Sequence, residues 1–506
     1  MKKFLTVLAA IVLLASSAEA HDLAFDSSGG VERTLTCNGR AVTFIAYENI
    51  FYVAKPVGDL QKLSVYIPAE YLRGETINGY SAKTAPIFLP NGVGGFMPGK
   101  ILAPVENDRM TGGANASLVA LSRGLVVVSP AIRGRTDQIG DAYVGKAPAF
   151  IVDYKAAVRW IRFNRDKLPA GDVEKIISNG TSAGGALSAL LGATGNAPEY
   201  QPYLDAIGAA DERDDIFAAS VYCPITNLEH ADAAYEWIFS DETKYFPAMW
   251  QLQDLEARGK RLPEKNSKPL DADAANNPVA VTTASEMTAA EISASKILRD
   301  DFPAYVNSLK LRDDHGKILS LDSRGNGSFK NFIKRKYIES AQSALDGGEN
   351  LSGVDWLTIR NGRVVDCDLA KYAAAATRMK SAPAFDKLDL SSAENDEFGT
   401  VDNEPRHFCA TVQKISGGEL ADAALIRMMN PMDFIGRADV STAKNFRIRH
   451  GAVDRDTALA IPAILALKLQ NCGVNVDFFS PWARGHAGDY DLDALFDWID
   501  GLSPAK

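Results

Sequence analysis

The sequence contains few of the residues that bind metals or cross-link small folds. Six histidines are present among 506 residues, and none forms an H-x-x-H or H-E-x-x-H arrangement, which argues against a zinc hydrolase. The five cysteines match no metal motif and no dense disulfide framework, although one disulfide of unassigned pairing stays open. The net charge of −10 is spread along the chain without a basic patch, so no nucleic-acid partner is expected. We expect neither a metal nor another cofactor.

Long apolar runs are also scarce. The one that stands out lies in the N-terminal "MKKFLTVLAAIVLLASSAEAHD", after two lysines and before a small-x-small cleavage site. This order predicts a secretory signal peptide over residues 1–20, cleaved before His21, rather than an uncleaved anchor. No later stretch is apolar enough to cross a membrane. We therefore expect an exported protein, periplasmic or extracellular, without membrane contact after cleavage.

The remaining 486 residues predict two domains, or one domain with a large insertion. β-Branched segments alternate with helical patterns over residues 21–224 and again over residues 430–506, which predicts a mostly parallel sheet with helices on both faces. The predicted strands are "LSVYIPA", "APIFLPN", "GLVVVSP", "KIISNG", "FAASVYCP", "FRIRHG" and "VNVDFFSPW". Residues 225–429, richer in charge and alanine, predict an inserted domain in which "TASEMTAAEISASKILRDDF" forms a helix.

Ser182 lies in "GTSAGG", a G-x-S-x-G motif between a predicted strand and a predicted helix. This context is that of the nucleophile elbow of the α/β-hydrolase fold, in which the serine occupies a strained turn. Gly180 and Gly184 leave room on both sides of such a turn. An ordinary glycine-rich helix start is the alternative interpretation, and the partner residues further along the chain favour the elbow.

A serine nucleophile needs a general base, and in this fold the order along the chain is serine, acid, histidine. Asp454 follows the strand "FRIRHG" and Asp456 comes two residues later, whereas His486 follows "VNVDFF". His486 is also the only histidine C-terminal to Asp454. We predict a triad of Ser182, Asp454 and His486 that transfers acyl groups to water. His450, at the end of a strand, is interpreted as a structural support for the aspartate loop.

The oxyanion of an acyl-transfer reaction needs preorganised amide donors. Ala183, directly after the serine, is predicted to supply one of them. The segment "NGVGGFMPG" follows the strand "APIFLP", where this fold supplies the second donor. The second amide is therefore predicted at Gly94 or Gly95, and the sequence does not choose between them.

Four segments together resemble bacterial tannases, which are tannin acyl hydrolases of the α/β-hydrolase fold. They are "PNGVGGFMPG", "GTSAGGALSALLGATGN", "RIRHGAVDRDT" and "SPWARGHAGDYDLD". The resemblance covers most of the chain and implies hydrolysis of galloyl esters. It also implies a large lid domain between the catalytic serine and aspartate, which here are 272 residues apart. The lid would correspond to residues 225–429.

The resemblance further implies that a Lys, a Glu and an Asp hold the three phenolic hydroxyls of gallate. The Asp, two residues after the catalytic one, corresponds to Asp456. The other two correspond by position to Lys380 in "RMKSAPAF" and Glu394 in "LSSAEN". Without the resemblance, Lys380 and Glu394 would be interpreted as solvated surface charges.

Other functions remain open at this point. A feruloyl esterase or a general carboxylesterase would use the same triad. "HGAVD" is similar to the HG-x-x-D element of prolyl-oligopeptidase-like serine peptidases, but only about 40 residues precede the first predicted strand, too few for their propeller. A non-catalytic hydrolase-fold binding protein would not need all three triad residues.

Overall fold

The protein is built around one nine-stranded sheet, and residues 20–108, 111–247 and 284–502 are described by a computed structural model. The predicted signal peptide, apart from Ala20, lies outside the described residues. The strands of this sheet are β1 (Val31–Cys37), β2 (Arg40–Phe51), β3 (Lys62–Pro68), β4 (Pro86–Pro90), β5 (Val126–Pro130), β8 (Asp172–Thr181), β9 (Ala218–Tyr222), β14 (Asn445–Arg449) and β15 (Asn475–Phe479). Their order across the sheet is β1-β2-β3-β5-β4-β8-β9-β14-β15. The six strands from β5 to β15 in this order are parallel, and β1, β2 and β3 continue the sheet antiparallel at one edge.

Among the described residues, three small antiparallel pairs lie outside the large sheet: β6 (Gln138–Ile139) with β7 (Ala142–Tyr143), β10 (Lys244–Tyr245) with β11 (Ser285–Glu286), and β12 (Leu357–Arg360) with β13 (Arg363–Cys367). The strands predicted from the sequence are all present in the sheet.

The part of the chain that the structure describes contains the α-helices α1 (Ala69–Leu72), α2 (Ala116–Ser122), α3 (Ala149–Phe163), α4 (Ala183–Ala193), α5 (Gln201–Ala206), α6 (Leu228–Phe239), α7 (Ala289–Leu309), α8 (Ser328–Asp346), α9 (Leu369–Ala376), α10 (Ala393–Glu397), α11 (Ala410–Ser416), α12 (Ala423–Met428), α13 (Ala460–Asn471) and α14 (Leu492–Leu502). Helix α2 packs against α14, and α3 packs against α4. The sheet therefore carries helices on both faces, as the alternation of strand and helix predicts. Among the described residues, none of the helices combines the length and the apolar character needed to span a bilayer.

The sheet begins earlier than the hydrophobic pattern predicts. Strands β1 and β2 form a hairpin before β3, whereas "LSVYIPA" was expected to hold the first strand. Strand β1 is mostly exposed, so apolar periodicity does not reveal it. The signal that does is the Asn38-Gly39 pair between the strands, whose φ angles of 49° and 78° are those of a two-residue hairpin turn.

The chain leaves the sheet after β9 and returns at β14, which pairs with β9 in parallel. The described residues between these strands contribute no strand to the large sheet. The predicted helix in this segment is confirmed as α7 only from Ala289 onward, where Thr288 and Glu291 begin it with a reciprocal capping box. The start of the predicted segment, Ser285–Glu286, is strand β11 instead. Phe302 and Tyr337 of this segment join the same apolar core as the sheet. The boundaries 225–429 stay a prediction.

Candidate active site

Ser182 occupies the one-residue turn between β8 and α4. Its φ of 61° and ψ of −123° are unfavourable for a residue with a side chain, at a cost of roughly 1–3 kcal/mol. The backbone on either side holds the turn: the Ser182 N–H donates to the carbonyl of Tyr222 (3.0 Å), and the Ser182 carbonyl accepts from Ala186 N–H (2.9 Å). The strained turn predicted for the motif is therefore present.

The small residues around Ser182 are required by close approach of the backbone. A Cβ atom on Gly184 would lie 2.6 Å from the carbonyl oxygen of Val93. A Cβ on Gly180 would collide with the carbonyl of Gly184, and one on Gly185 with the carbonyl of Tyr222. Every residue of α4 is buried. Larger side chains would push this helix away from the strands that hold the serine.

Asp454 and His486 form a hydrogen-bonded pair. The Nδ1 atom of His486 lies 2.8 Å from Oδ2 of Asp454. The second carboxylate oxygen, Oδ1, accepts the backbone N–H groups of Asp456 (2.8 Å) and Thr457 (3.3 Å), which fixes the orientation of the carboxylate. The Nε2 atom of His486 is buried and has no hydrogen-bond partner in the part of the chain that the structure describes.

The field around this pair favours its charged form. Burial would lower the pKa of His486, but the carboxylates of Asp454 and Asp456 outweigh it and hold this pKa well above its usual 6.5. Burial would raise the pKa of Asp454, but the positive charges of His486 and His450 keep it below its usual range. The site therefore stabilises an imidazolium, which is the species that a general base becomes when it takes a proton.

The loop that carries His486 packs directly against the serine turn. Gly488 abuts the side chain of Thr181, the residue before Ser182, so closely that a Cβ would collide with Oγ1. Asn179 Nδ2 also donates to Oδ1 of Asp489 (2.9 Å). The structure thus brings together the three segments in which the triad was predicted, after the parallel strands β8, β14 and β15.

Two buried side chains lie behind the aspartate. His450 Nδ1 is 3.5 Å from Asp454 Oδ2, which agrees with its interpretation as a support for this loop. Cys223 Sγ donates to the carbonyl of Ala487 (3.4 Å). The donor atoms of Cys223, His450 and Asp454 lie within 4.8 Å of one another and could hold a metal ion, although Asp454 already pairs with His486. All five cysteines are free thiols.

The glycine loop predicted to supply the oxyanion hole, residues 91–99, lies beside the serine turn, because its Val93 carbonyl abuts Gly184. Its tip is a tight turn in which Met97 N–H donates to the carbonyl of Gly94 (2.9 Å). Gly95 there has a φ of 53°. Both Gly94 and Gly95 face open space, where a Cβ would meet no atom within 4 Å. The choice between their amides stays a prediction.

Sequence reasoning missed two residues that hold this loop. The buried Asn91 side chain donates from Nδ2 to the carbonyls of Asn179 and Gly184, both at 3.0 Å, and so ties the loop to the serine turn. Its place as a polar residue at the end of a buried strand was a usable signal. Arg135 donates from Nε to the carbonyl of Gly95 (2.9 Å). Nothing in its local sequence distinguishes it from a surface arginine.

Lys380, Glu394 and Asp456, here called the phenol clamp after the role that the family resemblance implies, are all buried, at 7%, 8% and 1% exposure. Lys380 Nζ donates to Oδ1 of Asp456 (2.8 Å) and lies 3.9 Å from the centroid of the Phe385 ring. The interpretation of Lys380 and Glu394 as solvated surface charges is therefore wrong. Asp456 joins the clamp to the triad, because its own N–H donates to Asp454.

The charges of the clamp act on one another. Burial would lower the pKa of Lys380, but Asp456 and Glu394 outweigh it and raise this pKa above its usual value. Burial raises the pKa of Glu394, an effect that the positive charge of Lys380 opposes. The Oδ2 atom of Asp456 is buried without a hydrogen-bond partner among the described residues. Such an acceptor suits a ligand that brings its own hydroxyl.

A mostly parallel sheet, with a strained serine after one strand and an aspartate–histidine pair after the last two, defines an α/β-hydrolase. The family model BD-FAE matches residues 106–251. Esterase LipC of Mycobacterium tuberculosis is 51% identical over 57 residues, a match that spans 11% of this chain and 14% of the length of that protein.

Two solved structures are similar to nearly the whole chain. Tannase from Fusobacterium nucleatum is 45% identical with a TM-score of 0.87, covering 96% of this chain and 100% of that one. Tannin acyl hydrolase from Lactobacillus plantarum is 43% identical with a TM-score of 0.85, covering 95% and 99%. The chain belongs to the tannase family and is a carboxylic ester hydrolase, as the sequence motifs predicted.

Proposed function

We propose that this enzyme hydrolyses galloyl esters through an acyl-enzyme formed on Ser182. The observation that carries the proposal is the position of Asp456. Its backbone N–H donates to the buried Asp454 of the Asp–His pair, and its side chain accepts from Lys380. A group that recognises a hydroxylated ring is thus joined to the groups that cleave an ester bond.

The first half of the reaction uses the serine turn. Ser182 Oγ attacks the ester carbonyl while His486 Nε2, which has no other partner among the described residues, takes the hydroxyl proton. Asp454 orients the imidazole and stabilises its cation. The amides of Ala183 and of Gly94 or Gly95 bind the oxyanion. When the tetrahedral intermediate collapses, His486 returns the proton to the departing alcohol.

The second half repeats these steps with water as the nucleophile. His486 takes a proton from a water molecule, which attacks the acyl carbon, and the carboxylic acid leaves as Ser182 regains its proton. The chemistry needs only the triad and the two amides. A second feature must therefore select the acyl group.

The phenol clamp is proposed to make that selection. Asp456 Oδ2 and the Glu394 carboxylate accept hydrogen bonds from phenolic hydroxyls, and Lys380 donates to a phenolic oxygen. Acyl groups that occupy the clamp without these hydroxyls leave buried polar groups unpaired and are rejected. A tannin acyl hydrolase 42% identical to this chain has been solved in complex with ethyl gallate, which supports a phenolic ester as the substrate here.

The organisation of the chain fits this proposal. Residues 225–429 are proposed as the lid domain, since they carry Lys380 and Glu394 to a site whose triad lies elsewhere in the chain. We also propose that residues 1–20 export the enzyme to the periplasm or beyond. N-terminal sequencing of the protein from the culture medium and the periplasm, with His21 as the expected first residue, tests this point.

The experiment compares purified protein on methyl gallate, methyl ferulate, p-nitrophenyl acetate and a prolyl peptide. We expect methyl gallate to have the highest kcat/KM, p-nitrophenyl acetate to be turned over, and the peptide to remain intact. Ser182 should react with a fluorophosphonate, and the Ser182→Ala variant should neither react nor hydrolyse.

Each alternative has its own result. Hydrolysis of ferulate without gallate would point to a feruloyl esterase, and cleavage of the peptide to a peptidase. An enzyme that turns over acetate alone would be a general carboxylesterase. Absence of both turnover and labelling would leave a binding protein with the fold of a hydrolase.

A further inference from the structure

Arg135 belongs to neither the triad nor the clamp. It is hydrogen-bonded at two points to the glycine loop of residues 91–99, called the oxyanion loop below. Its backbone N–H donates to the carbonyl of Phe96 (2.8 Å), and its Nε donates to the carbonyl of Gly95 (2.9 Å). The carbonyl of Gly94 is held within the loop by Met97 N–H. Three successive peptide planes of the turn are thus fixed, two of them by Arg135. The Gly95 amide shares the first of these planes with the Gly94 carbonyl, and the two planes that follow it are the ones that Arg135 fixes. Arg135 therefore acts on the Gly95 amide through the adjoining backbone of the turn.

The other end of Arg135 reaches the helix that carries part of the clamp. Its Nη1 donates to Oδ2 of Asp396 (2.7 Å), and Lys146 Nζ donates to Oδ1 of the same carboxylate (2.7 Å). Asp396 lies in α10, two residues after Glu394. The guanidinium is 1% exposed and the carboxylate 10%, so water screens this ion pair little.

We propose that Arg135 is a positioning residue that fixes the oxyanion loop relative to helix α10. An acyl group whose ring is held by Glu394 then has its carbonyl at the amide of Gly94 or Gly95. The inference rests on the proposed function, because the loop and the helix have these roles only in that reaction.

The chemistry of arginine suits this role. Its planar guanidinium offers donors in a rigid fork, so one side chain bonds to a carbonyl on one side and to a carboxylate on the other. A lysine keeps the charge but has a single nitrogen without that geometry. Because a reacting group displaced by about 1 Å can lose about 100-fold in rate, a small rotation of the loop suffices for a measurable effect.

The test uses the full-length enzyme and the variants Arg135→Lys, Asp396→Asn and the double variant. Arg135→Lys is expected to lower kcat about tenfold on both methyl gallate and p-nitrophenyl acetate, because it releases the loop. Asp396→Asn is expected to lower kcat about tenfold on methyl gallate and at most about twofold on the acetate, which does not use the clamp. On methyl gallate the double variant should match Arg135→Lys alone, since both changes break the same connection between Arg135 and Asp396.

The pair of Arg159 and Asp214 supplies the control. It is also buried, with Nη2 and Oδ2 2.8 Å apart, and Arg159→Lys is expected to lower Tm without changing either kcat. Kinetics of Arg135→Lys that match those of the control, or losses that multiply in the double variant, would overturn the inference while leaving the proposed function standing. If the wild-type enzyme hydrolyses neither ester, both proposals fail together.

Discussion

The serine turn and the phenol clamp are both buried, but different interactions build them. Around Ser182 the interactions are mainly between backbone atoms. Glycines allow carbonyls to approach closely, and main-chain hydrogen bonds hold the strained Ser182. The clamp consists of charged side chains, Lys380, Glu394 and Asp456, which are stable in the interior only because they face one another. The turn belongs to the sheet, whereas two of the three clamp residues come from the inserted segment.

This difference predicts that the reaction rate on all esters and the preference for phenolic acyl groups depend on separate parts of the protein. Damage to the turn or the triad should affect every ester, because all esters form the same oxyanion and need the same base. Damage to the clamp should affect only acyl groups that carry phenolic hydroxyls. Kinetics on methyl gallate and p-nitrophenyl acetate, measured side by side, therefore distinguish the two regions.

Apart from loss of the nucleophile itself, the largest effect is expected from Asp454→Asn. The amide removes the negative charge that faces His486 Nδ1 and stabilises its cation, so kcat should fall about 10³–10⁴-fold on both esters. Stopped-time product assays measure the loss, and circular dichroism checks the fold. A loss on methyl gallate alone would contradict the assignment of Asp454 to the triad and place it in the clamp.

A large but selective effect is expected from Asp456→Ala. Loss of its acceptors should cost about 2 kcal/mol in kcat/KM on methyl gallate, or roughly 30-fold, and leave p-nitrophenyl acetate within about threefold. The assay belongs on the alkaline plateau, where the base is neutral in both proteins. Equal losses on both esters would argue against the clamp.

A shift in pH dependence should follow from the charges around His486. Protonation of His486 should make kcat/KM on p-nitrophenyl acetate fall as the pH is lowered. Because the pKa of His486 is raised, the midpoint of this acid limb of the pH profile should lie above pH 6.5. Asp456→Asn removes one of the charges that raise this pKa, so the limb should move to lower pH. Glu394→Gln serves as the matched control, with the limb unchanged. If Asp456→Asn leaves the limb in place, the field of the clamp does not reach the base.

The smallest effect is expected at Glu397, on the same helix as Glu394. Burial raises the pKa of Glu397 well above 4.5, and neither carboxylate oxygen has a hydrogen-bond partner among the described residues. An acid with a raised folded-state pKa stabilises the fold at low pH and loses that contribution as pH rises above about 4.5. Glu397→Gln should therefore keep full activity and lose less stability between acidic and neutral pH, as denaturant midpoints would measure. A steeper loss of stability with rising pH in Glu397→Gln than in the wild-type enzyme would contradict this prediction.

Prediction from the sequence succeeded where local geometry restricts the residue type. Only small residues fit around Ser182, so the sequence alone predicts the elbow. The order of Asp454 and His486 follows from the order of the strands. The β1–β2 hairpin was missed because its exposed strand has little apolar periodicity, although Asn38-Gly39 marks the turn. Lys380 and Glu394 could be named only through a family resemblance, since a buried and an exposed lysine have the same letter.

By itself the sequence determined seven strands of the sheet, the strained serine and the type of reaction. Glycines and strand patterns act over short distances, and the order of the motifs along the chain matches the order of the strands. Tertiary structure alone decided which charges are buried together. It placed Lys380 on Asp456 across 76 residues and Arg135 on Asp396 across 261. Such pairs depend on how the inserted segment packs on the sheet, and no local pattern of residues encodes that packing.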